Sequence, residues 1–152
     1  MKKFSYIHDF KLWEKEFDFF HSIKVRFSET DMFGHLNNTI PFVYFEEARI
    51  EFLGARGLQQ EWLSKASEVI PVVADLQCDF LEQVFFGDIL SIGVKVDSFA
   101  RSSCDIHYKG TKQDGSVCFV GRGTLVQVST ITGKPVPFTE AAREKLLGSS
   151  KV

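Results

Sequence analysis

Asp31-Met32-Phe33-Gly34-His35-Leu36-Asn37-Asn38 places a carboxylate and an imidazole four residues apart in a Gly-broken loop, just ahead of two residues that favour helix starts. A helix start gathers unpaired N–H groups and the positive end of the backbone dipole, so a negative charge that develops nearby is stabilised. An acid at such a place suits chemistry at a carbonyl carbon. The same residues have plainer uses. Asp31 reads as a turn residue that accepts from its own backbone, Asn37 and Asn38 as caps, and His35 as a residue that fixes the loop. Spacing alone leaves both sets of readings open.

The elements around this loop follow from periodicity. Phe19, His21, Ile23, Val25 and Phe27 alternate with polar residues and predict a strand, and the loop 28–36 leads into a helix from about Asn38 to Arg56, with Gly57 as its C-terminal cap. Pro41 fits the helix's first turn, where its missing N–H costs little. Apolar residues occur around much of this helix, so it must be wrapped by other structure. A helix-capable piece spans 59–67. Strands are then predicted from alternation at 72–80, 90–96 and 104–108. A hairpin at Asp114-Gly115 returns along 117–129, and a short helix occupies 139–147. Residues 1–18 form an N-terminal extension with a possible short amphipathic helix, 19–138 the main domain, and 139–152 a terminal helix and tail. One long helix followed by an antiparallel meander predicts an α+β fold, an antiparallel curved sheet of about five strands around the helix. Gly121-Arg122-Gly123 lies within a strand and reads as a bulge or a point of close packing.

Composition narrows the class. With 152 residues, 44% hydrophobic and 25% charged, the chain fits one globular domain that needs no staples. Sixteen Phe residues imply a bulky core, a subunit interface or an apolar ligand tunnel. A net charge of −2 lacks the basic footprint of nucleic-acid binding. Its distribution is uneven: residues 28–90 hold eleven acids against three Lys or Arg, whereas 91–134 hold six bases against three acids, so a phosphate-bearing ligand would prefer the second half. Cys78, Cys104 and Cys118 make neither a disulfide framework nor a zinc site. His8, His21, His35 and His107 have no ligand spacing, so no metal or cofactor is expected. No signal-peptide or membrane-span pattern is visible, and the expected location is the cytoplasm.

The run from Val25 through Asp31, Gly34, His35, Asn37 and Asn38, followed by Tyr44-Phe45-Glu46-Glu47-Ala48-Arg49, resembles the 4-hydroxybenzoyl-CoA thioesterase-like acyl-CoA thioesterases of the hotdog superfamily. Phe86-Gly87-Asp88 and Thr132-Gly133-Lys134-Pro135 are further landmarks, so the resemblance covers about residues 20–138. It implies a long helix swaddled by an antiparallel sheet, and a dimer or tetramer with active sites at subunit interfaces. It also implies hydrolysis of an acyl-CoA thioester, with Asp31 as nucleophile or general base and backbone N–H near Asn38 as oxyanion hole. His35 would orient thioester or water, Gly34 and Asn37 would contact substrate, and Arg101 and Ser102 would meet the CoA phosphates. Lys95, Lys109 and Arg122 are secondary phosphate candidates.

Related enzymes use a helix carboxylate instead, which makes Glu47 an alternative base; its plain reading is a solvated face or a pair with Arg49. Pro41 departs from the family pattern, in which an aromatic residue is more frequent in the first turn. Two other functions fit the same loop: a hotdog enoyl-CoA hydratase or dehydratase, although the longer Asp-to-His spacing of that branch is absent, and a non-catalytic acyl-CoA binding module.

Overall fold

A computed structural model of the chain describes residues 3–148; the ends of the N-terminal extension and of the predicted C-terminal tail lie outside them. The elements run α1 (Phe10–Lys15), β1 (Phe19–Lys24), α2 (Ile40–Ala55), α3 (Gln59–Leu63), β2 (Val69–Phe80), β3 (Ile89–Phe99), β4 (Ser103–Lys112), β5 (Val117–Ser129) and α4 (Glu140–Leu147). All five strands form one antiparallel sheet in the order β1-β3-β4-β5-β2. The architecture is α+β, a curved antiparallel sheet against one long helix.

The inner face of the sheet holds α2. Tyr44, Phe45, Ala48, Phe52 and Leu53 of that helix pack with Leu90, Ile92 and Val94 of β3 and Ile106 and Tyr108 of β4. Phe45 is fully buried and stacks on Tyr108 at 4.4 Å between ring centroids; burying such a side chain stabilises by about 3 kcal/mol. The Phe45 ring sits so close to β5 that a Cβ on Gly121 would lie 2.5 Å from it and from the Gln77 carbonyl oxygen. Gly121 is therefore a point of close packing, as its sequence context suggests, and the bulge lies elsewhere. In β2 it falls between Val73 and Asp75, and further register shifts lie between Val96 and Ser98 of β3 and between Gly110 and Thr111 of β4. Directly paired residues share a face, so Val73 lies on the side of Leu125, and Leu76 on that of Gly123. The predicted single alternation from Val72 to Phe80 thus reverses phase at the bulge.

The helix α2 ends where predicted: Gly57 adopts φ +80°, and the Leu58 N–H donates to Leu53 O at 3.0 Å, closing a Schellman-type cap. Its wrapping is incomplete, because Val43 and Ile50 stay exposed in the single chain.

The outer face of the sheet carries β3, β4 and β5 side chains under the N-terminal arm. Phe4, Ile7, Trp13 and Phe17 bury themselves there with Val120. Beneath them the Trp13 Nε1–H donates to His107 Nδ1 at 2.8 Å, which assigns the imidazole proton to Nε2, facing Asp105 Oδ2 at 2.9 Å.

Candidate active site

The Asp31 segment folds into a short hairpin of its own. After one 3₁₀ turn, Phe27–Glu29, Thr30 bridges to Leu36 and the Asn37 N–H donates to Glu29 O at 2.8 Å. Inside those stems the Asp31 N–H donates to His35 O at 2.8 Å, and the Gly34 N–H to Asp31 O at 3.0 Å. Gly34 closes the turn at φ +81°, a conformation that any side chain would strain. Asp31 Oδ1 accepts from the Phe33 N–H at 2.8 Å and the His35 N–H at 3.2 Å. The turn-residue geometry therefore occurs, and it occupies one oxygen. No hydrogen bond among the described residues engages Oδ2.

Glu29 anchors this hairpin to α2. It is 5% exposed and accepts from the Arg26 N–H at 2.9 Å, Arg26 Nη2 at 3.0 Å and Tyr44 Oη at 2.7 Å. Burial pushes its carboxyl upward, but the Arg26 and Tyr44 hydrogen bonds outweigh that and hold it below the ordinary carboxylate value.

The helix begins at Ile40, two residues later than predicted. Asn37 Oδ1 accepts from the Thr39 N–H at 2.9 Å and the Thr39 hydroxyl at 2.8 Å, and Asn37 O accepts from the Ile40 N–H at 3.0 Å. A turn spanning 37–40 thus consumes the two Asn residues before the first helical residue, with Pro41 in the first helical turn. Asn38 is exposed in that turn, and no hydrogen bond among the described residues takes its N–H or side chain.

Asp31, His35, Leu36 and Asn38 form one side of a cavity of about 400 Å³. Residues 80–84 and Phe119 form the other. Gly34 and Asn37 belong to the framework of the turn and do not line the cavity. The His35 ring stands edge-on to Phe85 with centroids 5.2 Å apart, so a ring contact sets its orientation. The Leu36 N–H donates to Val84 O at 2.7 Å, sewing the two walls together.

The wall 80–84 escapes sequence reasoning. It has no alternation, because the N–H groups of Leu81 and Glu82 both turn toward Cys118 O, at 2.9 and 3.1 Å. The signal at hand is its far end, where Gly87 at φ +85° and an Asp88 carboxylate accepting from the Phe85 N–H at 2.9 Å stop the chain in a tight turn.

Other candidates lie away from this cavity. Arg101 and Ser102 turn the β3–β4 hairpin, beside Ser103, which pairs with Val126 of β5, whereas Phe119 of the cavity pairs with Phe80. Seven residues of β5 separate the two positions, about 23 Å along a strand. Glu47 bonds His21 Nε2 at 2.7 Å beside β1. It does not pair with Arg49, whose guanidinium is buried and donates to Tyr108 Oη at 3.1 Å; residues two apart on a helix point to different faces.

Lys95, Lys109 and Arg122 sit on the outer face, in ion pairs with Asp97 at 2.9 Å, Glu14 at 3.5 Å and Asp105 at 2.6 Å respectively. Asp97, Asp105 and His107 lie close together, and they accept hydrogen bonds from Lys95, Arg122 and the Trp13 N–H respectively. Among the described residues, no helix is long and apolar enough to cross a membrane.

Comparison with known proteins bears on the family and the fold. The model of the thioesterase-like superfamily matches residues 25–146. The Bacillus subtilis (strain 168) protein YsmA is 44% identical over 138 residues, spanning 91% of each chain. The structure of PA5185 from Pseudomonas aeruginosa superposes with a TM-score of 0.77 at 25% identity, over 88% of this chain and 92% of that one. The fold alone is shared with Slr0204 of Synechocystis, a 1,4-dihydroxy-2-naphthoyl-CoA thioesterase, at a TM-score of 0.79 and 13% identity over 88% of this chain and 98% of that one. With four-fifths of its length matched by the family model and a relative of this identity across nearly its whole span, the chain belongs to the thioesterase-like superfamily of hotdog proteins.

Proposed function

We propose that the protein is an acyl-CoA thioesterase, hydrolysing the thioester to a free acid and CoA. One observation carries this reading: Asp31 Oδ2 and the Asn38 N–H, a carboxylate oxygen and a backbone donor at one wall of the same cavity, have no hydrogen-bond partner among the described residues. The carboxylate attacks the carbonyl carbon or takes a proton from the attacking water. The oxygen that gains charge meets the Asn38 N–H, and a donor of this kind is worth about 3 to 4 kcal/mol in the transition state. The C–S bond then breaks. On the general-base route the CoA sulfur takes up the proton that Asp31 removed from water. On the nucleophilic route the thiolate leaves a mixed anhydride on Asp31, which water hydrolyses to the free acid and the restored carboxylate, its proton going to the sulfur. His35, oriented by Phe85, acts on the bound thioester or water, and Leu36, Phe80, Val84 and Phe119 receive the acyl group. A thioesterase with the same fold that acts on an aroyl-CoA supports the choice of substrate class.

The CoA end calls for a second copy of the chain. β2 is a 12-residue edge strand with Ile70, Val72 and Val73 exposed, the kind of edge that proteins cover. Antiparallel pairing of two such edges reverses direction, so the Arg101 end of one sheet meets the Asp31 end of the other. Arg101 is exposed, with no side-chain hydrogen bond or ion pair among the described residues, and so is available to a phosphate. The three free cysteines fit a reducing cytoplasm.

A panel of aromatic, short and long acyl-CoAs, assayed for thiol release, tests the function. Wild-type protein hydrolyses at least one class, and Asp31→Asn does not; retained turnover in that variant overturns the role of Asp31. Binding of acyl-CoA without thiol release at any chain length would identify a binding module instead.

A further inference from the structure

Half of the cavity's lining comes from one stretch, residues 80–84, which runs from the last paired residue of β2, Phe80, into a segment outside the strand ladder. Its front faces the candidate site, and its back meets the N-terminal arm. Leu81 belongs to both: it lines the cavity and packs on the cluster of Phe4, Ile7, Trp13 and Phe17. Two residues before it, Asp79 Oδ2 accepts from Tyr6 Oη at 2.9 Å. The arm is itself held to the sheet at Trp13, through His107 and Asp105 to Arg122 of β5. A chain of contacts thus runs from the sheet through the arm to the wall.

We propose that the N-terminal arm positions the acyl-side wall of the site, with Tyr6 as a positioning residue that acts through Asp79. The arm precedes the residues that the family model matches, 25–146. Its effect on substrate rests on the thioesterase reading. Its effect on the wall does not. Burial and the Asp79 carboxylate both keep the Tyr6 hydroxyl protonated, so the bond persists across the ordinary pH range.

The test is hydrogen exchange at the Leu81 and Glu82 amides, which are protected by Cys118 O, in full-length wild type, Tyr6→Phe and Asp79→Asn. A lost hydrogen bond of ordinary strength speeds exchange at these two amides by up to about tenfold in Tyr6→Phe. Asp79→Asn keeps an acceptor oxygen and stays close to wild type. With a hydrolysed acyl-CoA, Tyr6→Phe raises KM severalfold and leaves kcat within about twofold, because remote positioning acts on binding of the acyl group. Unchanged exchange at residues 81 and 82 in Tyr6→Phe overturns the brace, as does a uniform rise across the whole sheet, which would mark a merely structural role. Absence of turnover in the wild type overturns the thioesterase reading and leaves the exchange result to decide the brace.

Discussion

Tyr44 Oη donates to Glu29 Oε1 at 2.7 Å, tying the second turn of α2 to the stem of the Asp31 hairpin. Both partners are buried, and Glu29 takes its remaining bonds from Arg26. Tyr44→Phe leaves the ring in place and strips one donor from a buried carboxylate. The expected loss is about 1 to 3 kcal/mol of stability, read from the midpoint of urea unfolding. Thiol release should also slow, since the hairpin that carries Asp31 loses its tether to the helix.

The same carboxyl makes stability depend on pH. Burial raises Glu29 and Asp105, but hydrogen bonds from Arg26 and Tyr44 to the one, and from His107 and Arg122 to the other, bring both below their unfolded values of 4.5 and 3.8. A depressed folded value means that the ionised form is favoured by folding. Their contribution is complete above the unfolded values and disappears as pH falls through the lower folded ones. Urea midpoints measured from pH 7 down to 2.5 should fall in the acid range, and Glu29→Gln should flatten that decline. An unchanged slope in the variant would remove Glu29 as a source of it.

Burial pushes the thiols of Cys78, Cys104 and Cys118 up to about 12. Each stays protonated at pH 8, and the thiolate is the reactive species. Native protein mixed with a thiol reagent at pH 8 should react on the order of 100-fold more slowly than the urea-unfolded chain, and hydrolysis should survive the treatment. Rapid native labelling with loss of turnover would bring a cysteine into the chemistry.

Gly121 tests the packing of sheet against helix. An added Cβ would lie 2.5 Å from both the Phe45 ring and Gln77 O, and the latter is backbone that cannot swing aside. Gly121→Ala should cost about 2 to 3 kcal/mol. A thermal melt within a degree of wild type would overturn this close packing of β5 against α2.

Local signals carried the parts of this fold that are locally determined. The Asp114-Gly115 turn, the span of β5 and the Gly57 cap are each set by a few adjacent residues, and each was legible. The short helix of the N-terminal arm was legible too, at Phe10–Lys15, but its docking was not, because Trp13 finds its partner at His107, 94 positions away. Burial under that arm also hides the reach of β4: Lys109 looks like a solvent-facing residue that ends an alternation, yet the strand continues through it to Lys112. At the site, Asp31, His35 and Asn38, singled out by the loop and the family resemblance, line one wall of the cavity, whereas the facing wall at 80–84 has neither period nor motif. The Glu47 and Arg49 pairing failed for a simpler reason, since helical geometry at a spacing of two separates them.

The two oxygens of Asp31 allow its structural and chemical roles to be separated by substitution. Oδ1 holds the Phe33 and His35 N–H groups, and Oδ2 is unengaged among the described residues. Asparagine keeps an oxygen able to accept from both N–H groups and removes the negative charge. Asp31→Asn should therefore fold with stability within about 0.5 kcal/mol of wild type while losing turnover. Alanine removes the acceptor as well, so Asp31→Ala should lose turnover equally and a further 1 kcal/mol or so of stability. If both variants lose stability together and regain activity in parallel under stabilising osmolyte, Asp31 is a turn residue and the chemistry lies elsewhere. If the asparagine variant keeps the fold and loses only the reaction, the carboxylate charge at Oδ2 is what the site requires.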